Sequence, residues 1–177
     1  MKKVIVDIDN TLWDFASVLY ERMKRINPDV IPRLEWHLFD FWKSYVTPKV
    51  FYAVIKSIHI DQEQFLPYPD AKEFLSSLKA LNLHIIIASH REKGTRGVSV
   101  AWLNQNKLVF DELHLSNDKT VLFNDCWAVV DDSQFTLEKA ARAGLIATGL
   151  KMPWNKDTGY PLFNNPKEVF QYLKERL

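Results

Sequence analysis

Cysteine and glycine are both scarce in this 177-residue chain, and each shortage excludes a class of site. The single cysteine, Cys126, can form neither an intramolecular disulfide nor a cysteine-based zinc cluster, so we expect a reducing compartment. All five glycines lie in the second half of the sequence, and none stands in a G-x-G-x-x-G or G-x-x-x-x-G-K-[ST] pattern. Rossmann-type dinucleotide binding and Walker-type nucleotide binding are therefore not supported.

The chain also lacks an excess of charge of either sign and a long hydrophobic run. Its 23 basic and 22 acidic residues leave a formal net charge of +1, which is too small to hold a polyanion or an anionic membrane by electrostatics alone. The first apolar run covers only residues 4–6, and no later run approaches the roughly 18 residues of a membrane span. We expect a cytoplasmic protein that binds neither membranes nor nucleic acid in bulk.

Short apolar runs alternate with helical patterns along most of the chain. The runs typical of strands are residues 3–9, 83–89, 113–116, 128–130 and 145–149, and the helical patterns are residues 70–82, 95–107, 136–143 and 167–177. Strands that are apolar throughout and alternate with helices indicate a parallel sheet covered on both faces. The predicted fold is an α/β domain with a Rossmann-like parallel sheet.

Residues 15–66 interrupt this alternation, because they contain no convincing strand. Amphipathic helical windows occur instead around residues 17–26, 33–43 and 48–58. Aromatic residues are concentrated here: of the 6 Trp, 6 Tyr and 11 Phe in the chain, twelve fall between Trp13 and Tyr68. We predict an α/β core of residues 1–14 and 67–177 and a helical insert of residues 15–66, whose rings mainly pack a small core of their own.

Polar side chains follow four of the predicted strands, at the strand ends where parallel α/β sheets bind ligands. They are Asp7, Asp9 and Thr11 after the first strand, Ser89 and His90 after the second, Lys119 after the third, and Asp131 and Asp132 after the fourth. Each has an ordinary explanation when taken alone, such as a helix cap or a turn. Their convergence at one edge of a sheet indicates a shared site.

Four carboxylates gathered at one place favour a particular chemistry. They repel one another unless a cation or a lysine neutralises them, and oxygen ligands alone favour Mg²⁺ over zinc. A metal ion, a lysine and a hydroxyl together suit the binding of phosphoryl oxygens, so phosphoryl transfer is the predicted reaction class. One aspartate can then act as a covalent nucleophile, and a second aspartate two residues along can transfer the proton.

Four sequence features occur in a fixed order along the chain. They are the Asp-Ile-Asp-Asn-Thr-Leu stretch that begins at Asp7, Ser89 after an apolar strand, Lys119, and the Val-Val-Asp-Asp stretch that ends at Asp132. They resemble the four motifs of the haloacid dehalogenase (HAD) superfamily of phosphatases. The resemblance implies that Asp7 is the nucleophile, and that Asp9 is the general acid/base and a metal ligand through its carbonyl. It further implies that Ser89 and Lys119 bind phosphate, and that Asp7 with Asp131, Asp132 or both holds Mg²⁺. By position, the helical insert resembles the family's cap, which closes over the active site and selects substrates.

Further local matches resemble one branch, the 5'(3')-deoxyribonucleotidases. They are D-x-D-x-x-L-x-D-F over residues 7–15, Pro-Tyr-Pro-Asp-Ala over residues 67–71, and Asp-Lys-Thr-Val over residues 118–121. Lys93 falls where that branch has a lysine, and Phe15 would stack near the nucleotide base. The resemblance implies a small phosphomonoester substrate, a nucleoside monophosphate, with Thr11 and His90 as further candidates for contact with phosphate or substrate.

The same residues keep other substrate classes open. Asn10 and Thr11 replace the Gly-Val usual in that branch, and Thr11-Leu12-Trp13 is similar to Mg²⁺-dependent phosphatases that act on proteins or sugars. Ser89 stands where nucleotidases usually have threonine, and His90 stands where they often have serine. The alternatives are a phosphatase for a phosphosugar, a phosphoprotein or a polynucleotide end, and a non-catalytic module that binds a phosphorylated ligand. The sequence does not indicate the oligomeric state.

Overall fold

The computed structural model describes residues 1–177 apart from the side chain of Lys93. Six strands form one sheet: β1 (Lys3–Val6), β2 (His84–Ser89), β3 (Glu112–Leu115), β4 (Ala128–Val130), β5 (Ile146–Leu150) and β6 (Leu162–Phe163). The strand order is β3-β2-β1-β4-β5-β6, and every pairing is parallel. The predicted parallel sheet is confirmed, and β6 adds an edge strand that is too short to show a sequence pattern.

Six α-helices accompany the sheet: α1 (Phe15–Ile26), α2 (Pro48–Ile60), α3 (Ala71–Ala80), α4 (Arg96–Gln105), α5 (Gln134–Arg142) and α6 (Pro166–Lys174). Local chemistry sets where several of them begin. The side chains of Asp14, Thr47, Ser133 and Asn165 each accept a hydrogen bond from the backbone N–H three residues on, at the starts of α1, α2, α5 and α6. Among the described residues, no helix combines the length and the apolarity that crossing a membrane requires.

The sheet carries a hydrophobic core on each face, as predicted. Val4 and Val6 of β1 belong to one core, together with side chains of α3, α4 and α6. Ile5 points to the opposite face and joins a smaller core that contains Leu137 and Ala140 of α5. Because successive side chains of a strand alternate between faces, an uninterrupted apolar run such as β1 needs both faces covered.

Residues 33–43 do not form the predicted helix. Two short 3₁₀ turns, Arg33–Glu35 and Phe41–Ser44, flank an irregular stretch. The rings of Trp36 and Phe41 stack with their centroids 3.7 Å apart and their planes 15° apart. An α-helix could not place them so, since at about 3.6 residues per turn residues five positions apart point in different directions. Aromatic packing here overrides the helical periodicity of the sequence.

Residues 15–66, called the helical segment below, lie against the carboxyl ends of the central strands. The segment contains α1, α2 and three 3₁₀ turns and no named strand among its residues, all of which the structure describes. Between it and the strand ends lies a cavity of about 1000 Å³, lined by residues of both regions. The fold thus brings a helical, aromatic region over the edge of the sheet where the predicted site residues lie.

Candidate active site

A buried lysine joins the ends of β1 and β4. Asp7 directly follows β1, and Asp131 directly follows the neighbouring strand β4. Lys119 Nζ lies 2.5 Å from Asp7 Oδ1 and 2.6 Å from Asp131 Oδ2, and all three residues are buried. The convergence predicted for these three residues is therefore present in the fold.

Burial and mutual repulsion shift the pKa values of this cluster. Burial, with the charges of Asp131 and Asp9, raises the pKa of Asp7 to about 7 although Lys119 opposes the shift. Burial, with the charges of Asp131 and Asp7, also raises the pKa of Asp132 well above its ordinary value. Burial alone would lower the pKa of Lys119, but the carboxylates of Asp131 and Asp7 outweigh it and raise that pKa. The cluster carries more negative charge than one lysine neutralises.

The excess negative charge and the spacing of the carboxylates fit a divalent cation. Asp7, Asp131 and Asp132 each offer a carboxylate oxygen, and these oxygens lie within 4.8 Å of one another. Hard oxygen ligands of this kind suit Mg²⁺. The carboxylate of Asp9 is not in this group, and the resemblance assigned its metal contact to the backbone carbonyl instead.

A glycine fixes the position of the acidic pair. Gly149 of β5 lies so close to β4 that a Cβ atom built on it would come within 1.9 Å of the Asp131 carbonyl oxygen. The Asp131 N–H donates to the Thr148 carbonyl at 3.0 Å, so β4 and β5 stay paired as far as the first aspartate. Only glycine permits this approach of the two backbones.

Asp9 has a different environment from Asp7, two residues before it. Arg91 Nη2 lies 2.6 Å and Trp13 Nε1 2.9 Å from Asp9 Oδ1. His59 Nε2 lies 3.1 Å and Ser89 Oγ 3.3 Å from Asp9 Oδ2. Burial would raise the pKa of Asp9, but Arg91 and His59 outweigh it and hold that pKa well below the ordinary range.

Arg91 and His59 were not among the predicted site residues. The Arg91 side chain is fully buried and also donates to Ser89, Ser99 and Gln62. Its position two residues after the end of β2 was a usable signal, because a charge near a strand end has to be exposed or paired. His59 lies in α2, fifty positions from Asp9, and no local pattern links the two residues.

The predicted substrate-binding residues occupy three kinds of position. Phe15, His90 and Lys119 line the cavity. Ser89 and Thr11 are each only 1% exposed and are not among the lining residues. Ser89 contacts Asp9 and Arg91 instead, and the hydroxyl of Thr11 has no hydrogen-bond partner among the described residues. The predicted contact of Lys93 lies outside the described residues.

Much of the cavity wall is aromatic, and most of its rings belong to the helical segment. Its rings are Phe15, Trp36, Phe39, Phe41, Trp42, Phe51, Tyr52, Phe135 and Trp154. Trp42 and Phe51 stack with centroids 4.2 Å apart and planes 8° apart, which confirms the predicted packing within the helical segment. Several of these rings therefore pack against one another and also face the cavity.

The lysines described on this wall are all paired with carboxylates. Lys43 Nζ lies 2.7 Å from Asp40 Oδ2, and Lys56 Nζ lies 2.9 Å from Glu92 Oε2. Lys119 is bound by the acidic cluster. Burial and the charge of Lys119 lower the pKa of His90. Among the described residues, the cavity wall outside the acidic cluster therefore presents aromatic rings and lysines that are paired with carboxylates.

No family model and no curated protein matches the chain. Solved structures match it over nearly its whole length. A protein described as a predicted phosphoglycolate phosphatase from Haemophilus somnus 129pt is 18% identical, with a TM-score of 0.67 and coverage of 98% of both chains. A HAD-superfamily hydrolase from Ehrlichia chaffeensis is 20% identical, with a TM-score of 0.63 and coverage of 99% of this chain and 98% of the other.

A HAD family hydrolase from Deinococcus radiodurans R1, solved with bound phosphate and sodium, is 18% identical, with a TM-score of 0.64 and coverage of 99% and 96%. At this level of identity the likeness shows the fold alone. The chain has the α/β HAD-like fold that its motifs predicted.

Proposed function

We propose that the protein is a Mg²⁺-dependent phosphomonoester hydrolase that works through an aspartyl-phosphate on Asp7. The observation that supports this most strongly is the buried contact of Lys119 with both Asp7 and Asp131 at the carboxyl ends of adjacent parallel strands. Asp7, Asp131 and Asp132 would hold Mg²⁺, and the ion would supply positive charge against the phosphoryl oxygens.

The side chains of the site have separate tasks in this reaction. The Asp7 carboxylate attacks phosphorus, the bond from phosphorus to the ester oxygen breaks, and Asp9, after it has taken up a proton from solvent, gives that proton to the departing oxygen. Water then attacks the phosphorus of the aspartyl-phosphate, Asp9 takes up one proton from that water, and phosphate leaves with Asp7 restored. Lys119 stays beside Asp7 and offsets the negative charge of the phosphoryl oxygens. Arg91 and His59 favour the ionised form of Asp9, which suits its second task, so protonation of Asp9 adds to the barrier of the first step.

We also propose that the helical segment is a substrate-selecting cap and that nucleoside monophosphates are the substrates. The aromatic wall supports this, because a base offers a face on which such rings can stack. Phe15 and His90, which line the cavity, would touch the substrate. Lys43 pairs with Asp40 and Lys56 pairs with Glu92, so a second anionic group of a substrate would have to displace a carboxylate to bind either lysine.

A panel of phosphomonoesters, assayed with Mg²⁺ and with a chelator, tests this proposal. The panel should contain ribo- and deoxyribonucleoside monophosphates, sugar phosphates, phosphoglycolate and p-nitrophenyl phosphate. We expect hydrolysis only with Mg²⁺ and the highest kcat/KM on nucleoside monophosphates. A preference for sugar phosphates or phosphoglycolate would refute the substrate class but keep the hydrolase. Undiminished hydrolysis by the Asp7→Asn variant would refute the mechanism itself.

A further inference from the structure

Asp132 is held from one side by two neutral donors. Its Oδ2 accepts hydrogen bonds from Asn10 Nδ2 at 3.0 Å and from the indole Nε1 of Trp154 at 3.2 Å. Its Oδ1 makes no hydrogen bond among the described residues. Asp132, Asn10 and Trp154 are all buried, at 5%, 7% and 6% exposure. Two donors on one oxygen fix the plane of the carboxylate and leave its other oxygen open.

The loop after β5 is built so that it presents this indole to Asp132. Asn155, which is fully buried, donates from Nδ2 to the carbonyls of Asp132 and Leu150, both at 2.9 Å. Its Oδ1 accepts from the Met152 N–H at 2.7 Å. The Asn155 side chain therefore ties the loop to the end of β5 and to the backbone of Asp132, with Trp154 directly beside it.

Both donors to Asp132 also connect it to the helical segment. Asn10 Oδ1 accepts from the backbone N–H of Ala16 in the first turn of α1, at 2.8 Å. The ring of Trp154 packs against Trp36, with centroids 6.3 Å apart. The carboxylate of Asp132 is thus supported by groups that the sheet edge, the loop after β5 and the helical segment hold together.

We propose that Trp154 is a positioning residue for the metal ion, whose indole N–H turns Asp132 so that Oδ1 faces the cation. This inference rests on the metal site of the proposed function. A neutral donor serves here better than a lysine or arginine would, because it orients the carboxylate without neutralising the charge that attracts the ion. Hydrogen-bond partners of metal ligands typically change metal affinity by about 10- to 100-fold when they are removed.

The competing explanation is that Trp154 only fills space between the helical segment and the core. Trp154→Phe separates the two, since it keeps most of the ring packing and removes the N–H. Trp102→Phe is the matched control: Trp102 is also fully buried and donates its indole N–H, to the Phe65 carbonyl at 2.7 Å, away from the acidic cluster. Asn10→Ala removes the other donor to the same oxygen and does not depend on how the Trp154 variant folds.

The test is direct binding of Mn²⁺, used as a paramagnetic probe for Mg²⁺, to the metal-free full-length protein by electron paramagnetic resonance. We expect the dissociation constant to rise about tenfold or more in Trp154→Phe and in Asn10→Ala, and to stay within about twofold in Trp102→Phe. Thermal unfolding without metal measures any loss of packing separately.

Each possible result decides the question. Wild-type Mn²⁺ affinity in Trp154→Phe, or equal weakening in Trp154→Phe and Trp102→Phe, would overturn the role of Trp154 and leave the proposed hydrolase intact. Failure of the wild-type protein to bind Mn²⁺ would overturn the metal site, and the role of Trp154 with it.

Discussion

Asp7 and Asp9 are separated by one residue, yet the fold gives their carboxylates opposite surroundings. Asp7 faces one shared lysine and other carboxylates, and its pKa is raised to about 7. Asp9 faces an arginine, a histidine and two further donors, and its pKa is held low. Pairs of acids whose environments separate their pKa values are typical of sites that divide one reaction between two groups. This contrast supports the proposal that Asp7 is a nucleophile whose charge a bound cation would balance. It also supports Asp9 as a proton carrier whose position is fixed by its hydrogen-bond partners.

After loss of the nucleophile itself, the largest expected effect comes from removing the proton carrier. Asp9→Asn should lower kcat by about 10³-fold on a nucleoside monophosphate, because proton transfer to a poor leaving group and from water is lost. With p-nitrophenyl phosphate, formation of the intermediate should suffer less, since that leaving group needs no proton. Stopped-flow measurement of nitrophenol release should then show a burst followed by slow turnover. An equal loss on both substrates without a burst would contradict this role of Asp9.

The next largest effect should follow from removing the arginine that pairs with Asp9. Arg91→Gln leaves Asp9, Ser99 and Gln62 without their buried partner, so we expect the free energy of unfolding to fall by about 3–5 kcal/mol and kcat by about 10²-fold. Arg96→Gln is the matched control, because Arg96 is exposed and donates to the Leu113 carbonyl. Urea unfolding and steady-state kinetics measure both. Equal effects of the two substitutions would show that the buried position of Arg91 does not matter.

A smaller effect, dependent on pH, should come from Asp7 itself. Its pKa is about 7 in the fold against 3.8 for the unperturbed group. The folded protein therefore binds a proton more tightly, and the contribution of Asp7 to stability falls as pH rises from about 4 to 7. Without metal, the stability of Asp7→Asn relative to wild type should therefore rise across that window. Urea unfolding in a chelator at pH 5 and pH 8 measures this rise.

Asp40→Asn provides a pH-independent control for that experiment. The hydrogen bond and charge of Lys43 lower the pKa of Asp40 below its ordinary value of 3.8, so the stability of Asp40→Asn relative to wild type should stay constant between pH 5 and pH 8. A fall in the relative stability of Asp7→Asn between pH 5 and pH 8 would contradict the raised pKa of Asp7.

The smallest effect should come from the exposed pair on the cavity wall. The side chains of Lys56 and Glu92 are 53% and 61% exposed, and such pairs contribute about 0–1 kcal/mol. Lys56→Gln should therefore leave stability and kcat/KM for nucleoside monophosphates almost unchanged. If kcat/KM for phosphoglycolate or a sugar bisphosphate is markedly higher in wild type than in Lys56→Gln, Lys56 binds a second anionic group of the substrate and is not merely paired with Glu92.

The sheet, its parallel order and the meeting of Asp7, Lys119 and Asp131 could be predicted because short apolar strands end in polar residues. The irregular structure of residues 33–43 could not be predicted, because the stacking of Trp36 on Phe41 depends on tertiary packing, which the helical periodicity of the sequence does not reveal. The contact of His59 with Asp9 could not be predicted for the same reason. His59 reaches Asp9 only when α2 lies over the sheet edge, and Trp154 reaches Asp132 only when Asn155 fixes its loop.

Trapping the covalent intermediate tests the role of Asp7 most directly. Acid quenching during turnover of a nucleoside monophosphate with Mg²⁺, followed by mass spectrometry of the peptide that contains Asp7, should show one added phosphoryl group. The group should accumulate in Asp9→Asn, where hydrolysis of the intermediate is slow, and be absent in Asp7→Asn. A phosphoryl group on a different residue, or continued turnover by Asp7→Asn, would contradict the assignment of Asp7 as the nucleophile.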